Sequence, residues 1–215
     1  MQIPFSIEQF LGVFRAYNLG VWPAQIALYG LGLLLVVVAL TGSRPARRWG
    51  VAGGLAVLWT WMGAVYHLNY FVEINPAARG FGALFLTQAA LWIAWAWKTP
   101  ALDFRPLSAT RRLVGGSLLA YAFFVYPLLN VVFGHGYPEM PTFGLPCPTT
   151  IATFGLLSWA TPTPPWFVWA IPVVWAFAGT SAAFSLGVPE DLGLAVAAIL
   201  AAALHLRLRW QPKPR

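Results

Sequence analysis

The chain has 215 residues, of which 59% are hydrophobic and only 9% charged, with Trp 12 and a net charge of +7. A soluble domain carries about a quarter charged residues, so this composition excludes an ordinary water-soluble fold and points to one compact helical membrane bundle. The positive balance is read as topology-setting basic loops, with the lipid bilayer and no nucleic acid as partner. One cysteine excludes an internal disulfide framework, and no C-x2-C spacing of a zinc site is present.

Residues 1–20 place Phe5, Ile7, Phe10, Leu11, Phe14 and Tyr17 at near-helical spacing, with Ser6, Glu8, Gln9, Arg15 and Asn18 mostly between them. The pattern predicts an amphipathic helix lying at the membrane interface. The bundle proper is expected over 21–208, followed by a basic tail at 209–215. Its first apolar run, 21–41, is long enough to span and lacks a small-residue cleavage site, so it reads as a retained helix and not a signal peptide. Further spans are predicted at about 49–73, 77–97 and 113–133. A fifth apolar run, 149–160, follows the proline-rich stretch GHGYPEMPTFGLPCPTT, and a sixth, 166–186, carries Pro172 as a kink. The seventh follows GVPED, whose Glu190 and Asp191 are expected in its first turn, where carboxylates suit the positive end of the helix dipole.

Seven spans put Arg44, Arg47, Arg48, Lys98, Arg105, Arg111, Arg112, Arg207, Arg209, Lys213 and Arg215 at one end. The excess of basic residues makes that end cytoplasmic, with the N-terminus outside and the C-terminus inside. Asp103 is the single acid at that end; Glu8, Glu73, Glu139, Glu190 and Asp191 face outward. Trp49, Trp95, Trp97, Trp159, Trp166 and Trp210 are expected near the cytoplasmic interface.

The fifth run is too short. Twelve helical residues rise about 18 Å against a hydrocarbon core of about 30 Å. Either it is re-entrant or non-helical chain flanking it enters the membrane, which is tolerated only under a cover of protein or in a water-filled cavity. The orientation favours a full crossing with a broken start.

Broken helices at binding sites make the stretch around Cys147 the centre of the functional reading. Thr149 and Thr150 are placed to cap the following helix, whose free N–H groups favour an anion and lower a thiol pKa. The plainer alternative is a rigid Pro-Cys-Pro turn with a packed, inert thiol. His67 lies inside the outer leaflet, on a helical face with Thr60, Gly63 and Tyr70; an ionisable group there is either functional or a neutral histidine bonded to a neighbouring helix. A ligand site is expected from His67, Tyr70, Asn130 and Cys147, with Glu73, His135 and Glu139 at its mouth. His67, His135, Glu139 and Cys147, with Met140, also form a mixed nitrogen, oxygen and sulfur set suited to zinc or copper. No pair of them has a ligand-motif spacing, and His135 and Glu139 read more simply as solvated loop residues. Gln88 and Asn130 are expected to join helices by hydrogen bonds.

Several chemistries are discounted. The seventh span has no lysine for a retinal Schiff base, no span carries histidines spaced for bis-histidine haem, and there is no Walker loop, G-x-S-x-G or H-E-x-x-H. Carboxylates occur only at the outer ends of predicted spans and none is expected inside the membrane, which argues against a proton-coupled pump.

The segments YHLNYFVEINPAARGFGALF (66–85) and GHGYPEMPTFGLPCPTTIATFGLL (134–157), with the N-terminal FSIEQFLGVFRAYN, resemble a family of bacterial multipass membrane proteins classed only as a domain of unknown function. The resemblance implies a bacterial inner-membrane location and assigns no activity. The expected architecture is therefore an all-α seven-transmembrane-helix bundle with an N-terminal interfacial helix. Its expected function is binding or transport of a small solute or metal ion through an outward-facing pocket. The alternatives are a metal-dependent membrane enzyme or redox protein, and a non-catalytic accessory subunit of a larger membrane complex; the expected protein partners are further copies of the chain in a homo-oligomer or the members of such a complex.

Overall fold

The computed structural model describes residues 4–210, so Lys213, Arg215 and most of the expected basic tail lie outside the described residues. Within them the chain forms eight helices: α1 Ile7–Gly20, α2 Ala24–Thr41, α3 Arg44–Glu73, α4 Ala78–Lys98, α5 Ala109–Val132, α6 Pro146–Trp159, α7 Trp166–Leu186 and α8 Pro189–Trp210. The seven spanning helices expected become six. All except α1 and α6 are long and apolar enough to cross a membrane.

α6 is the exception because it occupies the middle. All of its 14 residues are buried, and it packs against α5, α7 and α8. A helix of that length rises about 21 Å. Non-helical chain supplies the remaining distance at both ends. Before it, Phe143, Gly144 and Leu145 are buried; after it, Thr161 pairs with Asp103 through two backbone hydrogen bonds of 2.7 Å. α6 therefore joins the end of the bundle holding the 134–145 loop to the end holding the α4–α5 link. A protein sheath lets its irregular flanks sit at depth, since their backbone groups find partners within the chain.

Small residues set the closest contact. A Cβ on Gly115 of α5 would meet the Gly155 carbonyl of α6 at 2.6 Å, and one on Gly155 would meet the Gly115 carbonyl at 3.0 Å. Elsewhere polar side chains join helices, as expected of Gln88. Pro172 lies inside α7 and brings no N–H to the Val168 carbonyl four residues earlier. Gln88 Nε2 of α4 donates to that carbonyl at 3.3 Å. Tyr29 of α2 donates to the Phe123 carbonyl at 2.6 Å, within a wide π-turn of α5 where Pro127 likewise has no N–H to offer.

α3 departs from regular helix at two π-turns, Arg47–Val51 and Met62–His67. Each wide turn shifts the residues that follow around the axis, so the face assigned to His67 by regular 100° steps does not persist. Met62, Gly63, Tyr66 and His67 are all buried.

The basic end is stitched by its arginines. Arg47 grips Asp103 through Nε–Oδ1 at 2.5 Å and Nη2–Oδ2 at 2.7 Å, Arg44 donates to the Ala101 carbonyl and Arg48 to that of Ala96. The Arg47 guanidinium holds the Asp103 carboxyl below its ordinary range. Trp49, Trp97, Trp166 and Trp210 are exposed at this end, whereas Trp95 and Trp159, expected at the interface, are buried. Away from both ends the outward faces carry exposed Leu34, Val37, Phe124, Leu128, Phe177 and Ile199. An apolar exterior of this extent fits a bilayer and not water.

At the opposite end, α1 faces the bundle. It starts with a capping box between Ser6 and Gln9 and buries Phe10, Val13, Phe14 and Tyr17 against Tyr66 and Phe71. Trp61 donates to the Tyr17 hydroxyl at 2.7 Å, and burial pushes that phenol up to about 12. Asn18 fastens the loop. Its Nδ2 donates to the carbonyls of Pro138 and Met140 at 2.7 and 2.8 Å, and its Oδ1 accepts from Thr142 at 2.8 Å.

Candidate functional site

Packing α1 and the loop onto the bundle leaves a cavity of about 350 Å³ between α1, the end of α3, the starts of α4 and α6, and the second half of α7. Phe5, Phe10, Phe14, Phe71, Phe81 and Phe177 supply most of its apolar wall. Tyr66, Cys147, Trp175 and Asp191 bring polar atoms to it. Among the described residues no lysine or arginine lines it.

Asp191 is the residue whose position was least legible in the sequence. It belongs to a 3-10 turn, Pro189–Leu192, that opens α8. The two acids expected to face outward in this turn are instead buried, with Glu190 0% and Asp191 2% exposed. Tyr126 Oη donates to Asp191 Oδ1 at 2.5 Å. The Cys147 thiol faces the same carboxylate. Glu190 Oε1 meets His135 Nδ1 at 2.6 Å, while Oε2 has no partner among the described residues. Tyr121 donates to the Glu190 carbonyl at 3.1 Å. The absence of carboxylates inside the bundle, inferred from the predicted spans, is thus corrected: the reversal at Gly187, in left-handed conformation with φ 70, turns the 189–192 segment inward beneath the loop.

Cys147 lines the cavity, as its place in the loop suggested, but its chemistry differs from the expectation. It faces a carboxylate and uncharged aromatic groups, the opposite of the cationic surroundings that activate a thiol. The helix N-terminus offers little to an anion, because Pro146 and Pro148 have no N–H and the Thr149 amide is bonded to the Leu145 carbonyl. Thr149 Oγ1 accepts from the Gly144 amide at 3.0 Å, fixing the turn ahead of the helix instead of capping it.

The other expected site residues are dispersed. His67 is fully buried among the rings of Tyr66, Phe71, Phe81, Phe85 and Trp175, at centroid distances of 4.6 to 5.9 Å, and neither ring nitrogen has a partner among the described residues. Tyr66, Phe71, Phe81 and Trp175 line both this cage and the cavity, so they separate His67 from it. Tyr70 packs edge-on to Tyr17, and Glu73 is exposed. Asn130 turns back to the Tyr126 carbonyl at 2.8 Å, closing on its own helix and not joining another. Glu139 pairs with Arg15 at 3.1 Å. Of the zinc or copper set, His67, His135, Glu139 and Cys147 thus have four separate environments, and among the described residues no three His, Cys, Asp or Glu side chains gather as metal ligands.

Sequence reasoning passed over Asp191, Tyr126 and Trp175 as a group. The only signal was two adjacent acids beside a Gly-Val-Pro break, which reads equally well as a solvated helix start. The chain belongs to a family of unknown function (DUF6064), whose sequence model matches residues 7–213. No curated protein and no solved structure matches it.

Proposed function

We propose that this protein is a multispan membrane protein that binds a small amphiphilic molecule in the cavity beneath α1 and the 134–145 loop. The cavity lies toward the end opposite the arginine-rich one, and we read that end as the outward one from the basic-residue distribution. The observation that carries the reading is the cavity of about 350 Å³ with Asp191 on its wall. That volume falls in the range of small-molecule sites, and a mostly apolar wall with a few convergent polar groups is their usual chemistry. The phenylalanines hold the apolar part of the ligand; Asp191, backed by Tyr126, receives its polar group.

Equilibrium dialysis of the protein in lipid nanodiscs against labelled 2-phenylethanol tests this, with protein-free discs subtracted. Saturable binding at one site per chain is expected. Ala182→Trp, which places an indole in the cavity from α7, should abolish it while leaving the helical circular dichroism intact. Binding that does not saturate, or that persists in the variant, rules the site out.

A further inference from the structure

The charges around the cavity do not balance. His135 is the one basic side chain in the cluster and it is engaged by Glu190. Asp191 is left with neutral partners: Tyr126 on Oδ1 and the Cys147 thiol. The other titratable groups facing it are Tyr66 of α3, Tyr121 of α5, Glu190 of its own turn and, at longer range, His135. Among the described residues none of these is a lysine or arginine that could offset Asp191. A buried carboxylate whose hydrogen-bond partners are all neutral still gains from a cation that reaches it. Much of the rest of the cavity lining is aromatic, and faces of Phe, Tyr and Trp attract cations, most strongly when water is excluded. Tyr66, Phe71, Phe81 and Trp175 also pack their rings against His67 behind the cavity wall.

The geometry points to an organic ammonium ion as the ligand class, bound in exchange for a proton on Asp191. This rests on the cavity being the binding site. Wherever the Asp191 carboxyl of the free protein carries a proton, binding displaces it. When the ammonium ion enters, its charge sits against Asp191 and the aromatic faces, the carboxyl O–H bond breaks, and the proton leaves to solvent. One positive charge enters and one departs, so the buried charge is the same before and after. An ammonium ion without a removable proton makes the exchange measurable.

The test uses two probes of the same shape, benzyltrimethylammonium and neutral neopentylbenzene, with protein in nanodiscs. The cation is expected to bind at least tenfold more tightly than its neutral isostere at pH 8. Its affinity should rise by up to tenfold per pH unit while Asp191 is protonated in the free protein, whereas that of neopentylbenzene stays flat. Within the pH range of that slope, calorimetry in buffers of different ionisation enthalpy should find close to one proton released per cation bound, which needs no mutant. In Asp191→Asn the preference should fall to within about threefold, and the pH slope should vanish. If both probes bind alike, with no pH slope and no proton release, the cavity stands as a binding site and the exchange is wrong. If neither probe binds saturably, the binding site itself is wrong, and the exchange falls with it.

Discussion

Gln88 and Pro172 offer the sharpest check on how the bundle is held together. Gln88 is fully buried, and its Nε2 lies 3.3 Å from the Val168 carbonyl that Pro172 leaves without a helical donor. Gln88→Leu strands that carbonyl, and an unpartnered buried polar group costs about 1–3 kcal/mol. The same substitution removes Gln88 Oε1, which has no partner of its own, so part of the loss is offset. The single variant therefore reports a mixture. Pro172→Ala restores an N–H four residues after Val168, and in that background Gln88→Leu no longer strands anything. The coupling between the two sites isolates the hydrogen bond. Interhelical bonds in membrane proteins are worth about 0.6 kcal/mol on average and at most about 1.7, and a bond of 3.3 Å belongs in the lower half of that range. Equilibrium unfolding by sodium dodecyl sulfate in mixed micelles, followed by near-ultraviolet circular dichroism, supplies the four free energies. Additivity within about 0.3 kcal/mol would refute the assignment of Gln88 as the substitute donor.

Asn18→Leu removes three loop-to-α1 hydrogen bonds at once and should lower stability by at least about 2 kcal/mol while speeding proteolysis within residues 134–145; unchanged cleavage kinetics would show that the loop is fastened elsewhere. The Arg47–Asp103 pair stabilises the fold above the ordinary carboxylate pKa of about 4 and loses its effect as pH falls through the lower, folded-state value of Asp103. Asp103→Asn should therefore flatten the acid limb of a stability–pH curve and cost about 1.5–3 kcal/mol at pH 7, and an acid limb identical to wild type would contradict this. Gly115→Val forces α5 from α6 at their closest crossing and should prevent assembly or lower the midpoint sharply. His67→Phe keeps a ring in the aromatic cage and removes two unpartnered nitrogens, so thermal unfolding should show equal or greater stability, by up to about 1 kcal/mol; a large loss would reveal a polar partner for His67.

A stretch such as 21–41 has one low-energy destination whatever surrounds it. Apolar side chains and self-satisfied helical backbone belong in lipid, so the six long helices and their basic end were legible from residue order alone. The shortfall of the fifth run was legible too, because helical rise is a local constant. How that shortfall is met was not: only packing shows α6 sheathed by α5, α7 and α8 with extended chain at both ends. Gln88 read as a helix joiner, but its partner depends on which helix brings a proline-freed carbonyl opposite it. Cys147 was singled out by composition, and the structure supplied its neighbour. Asp191 marks the limit. In the sequence it is an acid at a helix start, which favours solvent as readily as a core. It becomes a buried carboxylate only because the turn at Gly187 brings the 189–192 segment under a loop drawn from more than forty residues earlier, among Tyr126, Cys147 and Trp175 from three other helices. Charge and hydropathy along a chain report what each residue prefers alone; whether a carboxylate meets water, a cation or a phenol is decided by side chains that only the tertiary fold brings together.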